Sequence, residues 1–213
     1  MDATLKGIPL TRNDIQELFE EILNIDLCDG VTFKIISIKD IRLEDEYGGF
    51  RLNILSQFGN NKTYIAVELT TGDVITPREM KYNYNYNSIF EDKKIPLLTY
   101  TLETVLAEKF QSVITRGVFN TRQKDFYDIY VLMNFKKNDI DDNNLKQAIY
   151  NTFKKRETIV DIENIKEVSD ILKEDENMSS LWKSYVSKNP YANGITFKDT
   201  IEALNLIIDI LSK

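Results

Sequence analysis

The apolar positions of the chain follow two different periods. Before about residue 95 they come mainly in short runs rich in Val, Ile, Phe and Tyr; after it they recur three and four residues apart. Residues 11–24, "TRNDIQELFEEILN", are the exception in the first part. Ile15, Leu18, Phe19 and Ile22 form one stripe, Thr11 or Asn13 can cap the segment, and acidic residues fill its first turns, so a helix is expected. Three strands should follow, at 31–41 ("VTFKIISIKDI"), 50–58 ("FRLNILSQF") and 63–69 ("TYIAVEL"), each partly alternating. The turn residues of "EYGG" and "GNNK" separate them, which predicts an antiparallel meander. "TTGDVITPRE" then leads out of the sheet through Gly72 and Pro77. "KYNYNYNSIFEDKK" reads as a loop or an edge strand; its tyrosines either cover a sheet edge or stack on a base.

Pro96 precedes a pair of amphipathic helices in "LETVLAEKFQSVITRGVFNTRQKDFYDIYVL", residues 102–132. Helical stripes continue to the end of the sequence. "NNLKQAIYNTFKKR" aligns Leu145, Ile149 and Phe153, and "DIENIKEVSDILKE" aligns Ile162, Ile165, Val168, Ile171 and Leu172. "SSLWKSYVSK" holds Trp182, the one tryptophan. "TFKDTIEALNLIIDILSK" opens with Thr196 and Asp199 in a capping-box arrangement and lines up Ile201, Leu204, Ile208 and Leu211. The expected class is α+β, a small sheet followed by a helical half, with a boundary near residue 95 that divides 1–95 from 96–213.

Composition narrows the chemistry. The chain has 213 residues, 42% hydrophobic and 29% charged, enough to build a core unaided. No apolar run approaches membrane-spanning length, and no membrane partner is expected. With Cys28 alone, no intrachain disulfide can form, and a reducing cytoplasm is the plain expectation. The net charge of −7 argues against electrostatic coating of nucleic acid, while leaving room for a local basic patch. There is no histidine, which removes Ser-His-Asp and Cys-His nucleophiles, HExxH sites and His-ligated zinc. No C-x-x-C, G-x-x-x-x-G-K-[ST] or G-x-G-x-x-G occurs either. Carboxylates remain, and they favour hard cations such as Mg²⁺.

Five residues stand out as candidates for polar chemistry. Lys109 sits four after Val105 and four before Val113, inside a core stripe. It either reaches solvent along its stem, forms an internal ion pair, or meets an anion such as a triphosphate. Asp125 and Asp128 lie three apart on the face of Ile129 and Leu132, with Arg122 three residues before Asp125. Glu68 follows Val67 near the end of a strand. Asp2 stands at the start of "MDATLKGIPLT".

"MDATLKGIPLT", "VELTTGDVITP", "LETVLAEKFQSVITRG" and "NTRQKDFYDIYVL" together resemble the AbiEii/AbiGii family, nucleotidyltransferase-like toxins of bacterial type IV toxin–antitoxin and abortive-infection systems. The E-K…R-G…R-x-x-D-F-Y-D order is the most specific part, and the resemblance thins in the helical tail. It implies a polymerase-β-like domain with a small antiparallel or mixed sheet, followed by a helical domain carrying Lys109 and Asp125. It also implies transfer of an NMP from an NTP (GTP and CTP are the candidates) to an RNA acceptor such as a tRNA end. Two Mg²⁺ ions ~4 Å apart would assist, and a cognate antitoxin would be a partner. In this family an Asp-x-Asp runs into "AT-x-K-G"; here Met1 falls on the x and Asp2 on the second aspartate. The first aspartate and its Gly-containing helix are therefore expected ahead of residue 1, leaving this form truncated and weakly active or inactive. Carried over position by position, Asp2 and Glu68 would hold metal, Lys109 phosphate, and Asp125 would orient the lysine or move a proton. Arg116, Arg122, Lys124 and Asp128 would accompany nucleotide or RNA. The alternative is an inert protein of the same fold that binds nucleotide or antitoxin; a plain interaction scaffold with structural ion pairs is a third reading.

Overall fold

The computed structural model describes residues 2–5, 11–41, 48–71, 74–87 and 92–213. Expectations that fall on the remaining residues lie outside the described ones; they include "KGIPL" of "MDATLKGIPLT", the first half of the "EYGG" turn, the exit at Gly72 and the "SIFE" part of the tyrosine-asparagine segment. The chain divides into two compact units, Met1–Asp73 and Val74–Lys213, so the division falls earlier than the expected boundary near residue 95.

Among the described residues, the first unit is a mixed four-stranded sheet with one helix. Helix α1 spans Arg12–Leu23, and the Thr11 hydroxyl caps it by accepting the Asp14 N–H. Strand β1 is Asp2–Leu5, and strands β2 (Val31–Ile41), β3 (Gly49–Phe58) and β4 (Asn61–Thr71) form the expected antiparallel meander. The sheet order is β1-β4-β3-β2, and β1 runs parallel to β4. Ile15 from α1 packs with Phe50, Leu52, Ile54, Val67 and Leu69 from the sheet. Leu23, not Ile22, completes the helix stripe; Ile22 is exposed. A register shift between Ile35 and Ser37 leaves Ile36 exposed and lets Phe33 and Ile38, at odd and even positions, face the same core. Two glycines are dictated by space and backbone. A Cβ on Gly49 would meet the Leu69 carbonyl oxygen at 2.6 Å, and Gly59 turns the β3–β4 hairpin at φ +56°.

The second unit begins with a ribbon of two antiparallel strands, β5 (Met80–Asn87) and β6 (Asp92–Thr99). Of the two expectations for the tyrosine-asparagine segment, the strand is the one observed. Pro96 does precede the helix pair, and it lies inside β6 opposite Asn83, which a two-stranded ribbon tolerates because both strands are edges. Six helices follow: α2 (Leu102–Arg116), α3 (Gln123–Phe135), α4 (Asp142–Lys155), α5 (Ile162–Glu174), α6 (Glu176–Lys188) and α7 (Phe197–Ser212). Leu106, Phe110 and Val113 of α2, Phe126 and Ile129 of α3, Leu145 and Ile149 of α4, Ile165 and Leu172 of α5, and Ile201, Leu204 and Ile208 of α7 form one core. The predicted stripe of α5 holds except at Ile171, which is exposed. Thr196 and Asp199 make the capping box of α7. Among the described residues no helix is long and apolar enough to cross a membrane.

Buried polar contacts explain why the ribbon segment belongs to the helical unit. Thr76 is buried against the start of α2; its N–H donates to the Thr104 hydroxyl at 2.9 Å, and its carbonyl accepts from the Thr101 hydroxyl at 2.6 Å. Asn151 of α4 donates to the Thr76 hydroxyl at 3.0 Å. Buried Glu103 accepts the Asp141 N–H at 2.9 Å, tying α2 to the start of α4. Thr104→Val keeps the shape but strands the Thr76 N–H. It should cost about 1–3 kcal/mol in urea unfolding, whereas an unchanged midpoint would show that this N–H finds another partner.

Candidate functional site

The helix pair α2–α3 carries most of the residues singled out by the sequence. Gly117 ends α2 at φ +50°, its N–H returning to the Val113 carbonyl. A short 3₁₀ turn, Gly117–Phe119, leads to Asn120, which is fully buried. Asn120 Oδ1 accepts the Arg122 N–H at 2.9 Å, and its carbonyl accepts from Gln123 Nε2 at 3.2 Å. This fastening sets the start of α3, and with it the direction of Asp125 and Asp128. The Asn120 Nδ2 and Gln123 Oε1 atoms are buried and lack hydrogen-bond partners among the described residues.

Across the helix pair the three anomalous side chains meet one another. Lys109 Nζ lies 2.6 Å from Asp128 Oδ2 and 3.3 Å from Asp125 Oδ1. Arg122 Nε approaches Asp125 Oδ2 at 3.2 Å, and Lys124 Nζ approaches Asp128 Oδ2 at 2.9 Å. The result is a continuous chain, Arg122–Asp125–Lys109–Asp128–Lys124, with three cations for two carboxylates. Its centre is sheltered and its ends are open. The Asp125 side chain is 5% exposed, Asp128 18% and Lys109 20%, while Arg122 and Lys124 reach solvent. A spare positive charge held at a half-sheltered position can receive an anion with little rearrangement. Arg116 stands exposed in the last turn of α2, outside this chain of ion pairs.

The surroundings of Asp128 shift two further groups. Lys124 is raised above its ordinary value, first through its hydrogen bond to Asp128, against the opposing effect of burial. Tyr185 of α6 is raised by burial, by its hydrogen bond with Tyr191 and by the negative charge of Asp128. Asn120, Gln123, Tyr185 and Tyr191 carry no role in the sequence reading. Asn120 and Gln123 sit in the quoted "NTRQKD" motif, but nothing in the periodicity marks them as buried, and the tyrosines come from a distant segment.

In the first unit, the parallel register sets Asp2 directly opposite Glu68. The Glu68 carboxylate is forked by Arg51 of the neighbouring strand, with Arg51 Nε at 2.9 Å and Nη2 also in contact. Arg51 and Glu68 are register partners across β3 and β4, so the pair follows from the sheet itself. Among the described residues no group of three or more His, Cys, Asp or Glu is clustered as metal ligands.

Residues 1–203 match the family described as nucleotidyl transferase AbiEii toxin, type IV toxin–antitoxin system. No curated protein sequence matches significantly. Two crystal structures from Helicobacter pylori are similar to the chain. One, provisionally assigned as a nucleotidyltransferase, shares 15% identity at a TM-score of 0.48 and is matched over 99% of this chain and 76% of its own. The other, JHP933, shares 12% identity at a TM-score of 0.46, over 99% of this chain and 73% of its own.

Breaking a buried ion pair ordinarily costs ~3–5 kcal/mol. In Lys109→Met each carboxylate keeps one other cation, so a loss of about 2 kcal/mol is expected in chemical denaturation; no loss would show that the pairs contribute nothing to folding. Alkaline stability gives a second check. The folded state holds the Tyr185 and Lys124 protons more tightly than the unfolded chain does, so this stability is complete below their ordinary values, 10.0 and 10.5, and is lost as pH rises beyond them. Unfolding midpoints should fall above about pH 10, less steeply in Tyr185→Phe; identical slopes in the two proteins would contradict this.

Proposed function

The chain belongs to the AbiEii nucleotidyl transferase toxin family of type IV toxin–antitoxin systems, and we propose that it moves an NMP from an NTP to a hydroxyl of an RNA acceptor. One observation carries the reading. Lys109 is aimed by Asp125 and Asp128 from a sheltered helix face and stands within a cluster that has one more cation than carboxylates.

In this reaction the acceptor oxygen bonds to the α-phosphorus, the bond to the bridging oxygen breaks, pyrophosphate leaves, and the hydroxyl proton passes to water. Lys109 would neutralise charge on the triphosphate as it departs, and Asp125 positions the lysine. Arg122 and Lys124, at the solvent ends of the ion-pair chain, would meet the outer phosphates or the acceptor backbone. Arg116 extends this basic surface on α2, and a tRNA end is the acceptor class we favour. GTP and CTP remain the candidate nucleotides, and a cognate antitoxin is the proposed protein partner.

Magnesium is compatible with the residues present. It commonly uses one or two carboxylates, with waters and substrate phosphates completing its shell. Residues 2 and 68 supply that number and lie opposite each other in register, although Glu68 must exchange Arg51 for the ion. The chemistry it would supply is charge stabilisation at the reacting phosphate.

A second reading, an inert protein of the same fold that binds nucleotide or antitoxin, is favoured by the same engagement of Glu68 with Arg51 and of Lys109 with two carboxylates. Calorimetry with each NTP and Mg²⁺, paired with incorporation of α-labelled NTP into total tRNA, separates the two. Binding and incorporation are expected, the latter reduced about 10²-fold in Lys109→Met. Binding without incorporation would sustain the inert reading, and the absence of both would sink nucleotide recognition altogether.

A further inference from the structure

Helix α3 carries more than charge on this face. Tyr127 lies three residues after Lys124, on the same side of the helix. Two tyrosines from far along the chain meet it. The rings of Tyr185, near the end of α6, and Tyr191, in the 3₁₀ turn Pro190–Ala192, lie 6.3 and 4.9 Å from the Tyr127 ring. The Tyr185 and Tyr191 hydroxyls are 2.9 Å apart, and Tyr191 donates to Asn189 Oδ1 at 2.9 Å. Asn189 is fastened in turn, its Nδ2 donating to the Tyr185 carbonyl at 2.8 Å. Beneath them Trp182 is buried, its ring 5.3 Å from that of Tyr185 and its Nε1 donating to the Ile195 carbonyl.

The cluster is rigid below and open above. Tyr191 is 55% exposed, and its hydroxyl is engaged by Tyr185 and Asn189, which holds the side chain in place. An exposed aromatic ring in a fixed orientation is what a planar heterocycle stacks on, and the loss of rotamer freedom on binding is small because the ring is already held. Lys124 lies one helical step from Tyr127, whose ring meets that of Tyr191, and Lys124 shares Asp128 with Lys109. Aromatic face and phosphate-seeking cations therefore sit side by side within one unit, the combination that single nucleotides and single-stranded nucleic acid require.

We propose that Tyr191 and Tyr127 form a nucleobase-stacking site whose ligand places its phosphate toward Lys124 and Lys109. The inference rests on reading the Lys109 cluster as a phosphate site and adds where the base goes. Stacking of this kind tolerates every base, so this surface would contribute affinity and leave the choice among the four bases to other contacts. The base belongs either to the free nucleotide or to the unpaired end of the RNA acceptor.

The test uses Trp182 emission, since the single tryptophan touches the cluster. The wild-type chain, Tyr191→Ala and Tyr191→Phe are titrated with ATP, GTP, CTP and UTP in Mg²⁺, with tripolyphosphate, and with a short single-stranded RNA. Tyr191→Ala should weaken the base-containing ligand ~10-fold or more, Tyr191→Phe no more than about twofold, and tripolyphosphate should bind all three proteins alike. A loss confined to NTPs assigns the site to the nucleotide; a loss confined to RNA assigns it to the acceptor end. NTP and RNA binding unchanged in Tyr191→Ala, or lost equally in Tyr191→Phe, would overturn the stacking site while leaving the phosphate reading standing. No binding by any probe would overturn both. If melting shows that Tyr191→Ala does not fold, Tyr191→Leu, which keeps bulk without a π-face, takes its place with the same outcomes.

Discussion

Everything distinctive about the helical unit depends on one lysine being held between two aspartates. Lys109 belongs to a helix whose neighbouring turns bury Leu106, Phe110 and Val113, so its charge must find partners on the facing helix. Asp125 and Asp128 supply them because a three-residue step on α3 places both on the side that α2 meets. That step works only if α3 starts at the right residue, and the buried Asn120 fastens that start through the Arg122 N–H. Desolvating such a group is expensive unless each charge is matched. Here the outer ends, Arg122 and Lys124, keep the chain of charges connected to water while its middle is sheltered. A site that stabilises its own lysine and retains a surplus cation can serve folding and anion recognition together.

The sheet unit makes the opposite choice for its carboxylate. Glu68 is taken by Arg51 across a ladder position, a pairing that any antiparallel sheet with opposite charges in register would make. Both Arg51 contacts fall on Glu68 Oε1, so the guanidinium holds that oxygen from one side of the ladder. The parallel strand β1 matters because it delivers residue 2 to the other side of Glu68.

Much of this was legible in the residues and some was not, for definite reasons. Lys109, Asp125 and Asp128 stood out because the 3.6-residue period is strict enough to show a charge inside an apolar stripe. The ion-pair chain itself was not readable, since spacing says which face a residue takes and not what stands across from it. The meander was visible in alternation, yet β1 was too short to show, and its parallel pairing with β4 joins residues 66 apart. The β5–β6 ribbon was half visible: tyrosine and asparagine alternate, but neither face is plainly apolar, and Pro96 masked the second strand. The tyrosine group was invisible, because Tyr127 reads as one more ring in a helix and its companions arrive from α6 and the turn beyond it. The early boundary was hidden as well, because what binds Thr76 to the helical unit is a set of hydroxyls with no sequence period.

The packing of α7 also has a consequence for the order in which the protein comes into being. Phe197 at the start of α7 lies against Phe126 of α3, 5.4 Å between ring centres, and Ile201, Leu204 and Ile208 fill the same core. A ribosome makes α3 long before it makes α7. Until then the helix that carries Asp125 and Asp128 lacks the wall that α7 supplies. The wall of α3 that faces Phe197 is therefore completed only after α7 has left the exit tunnel.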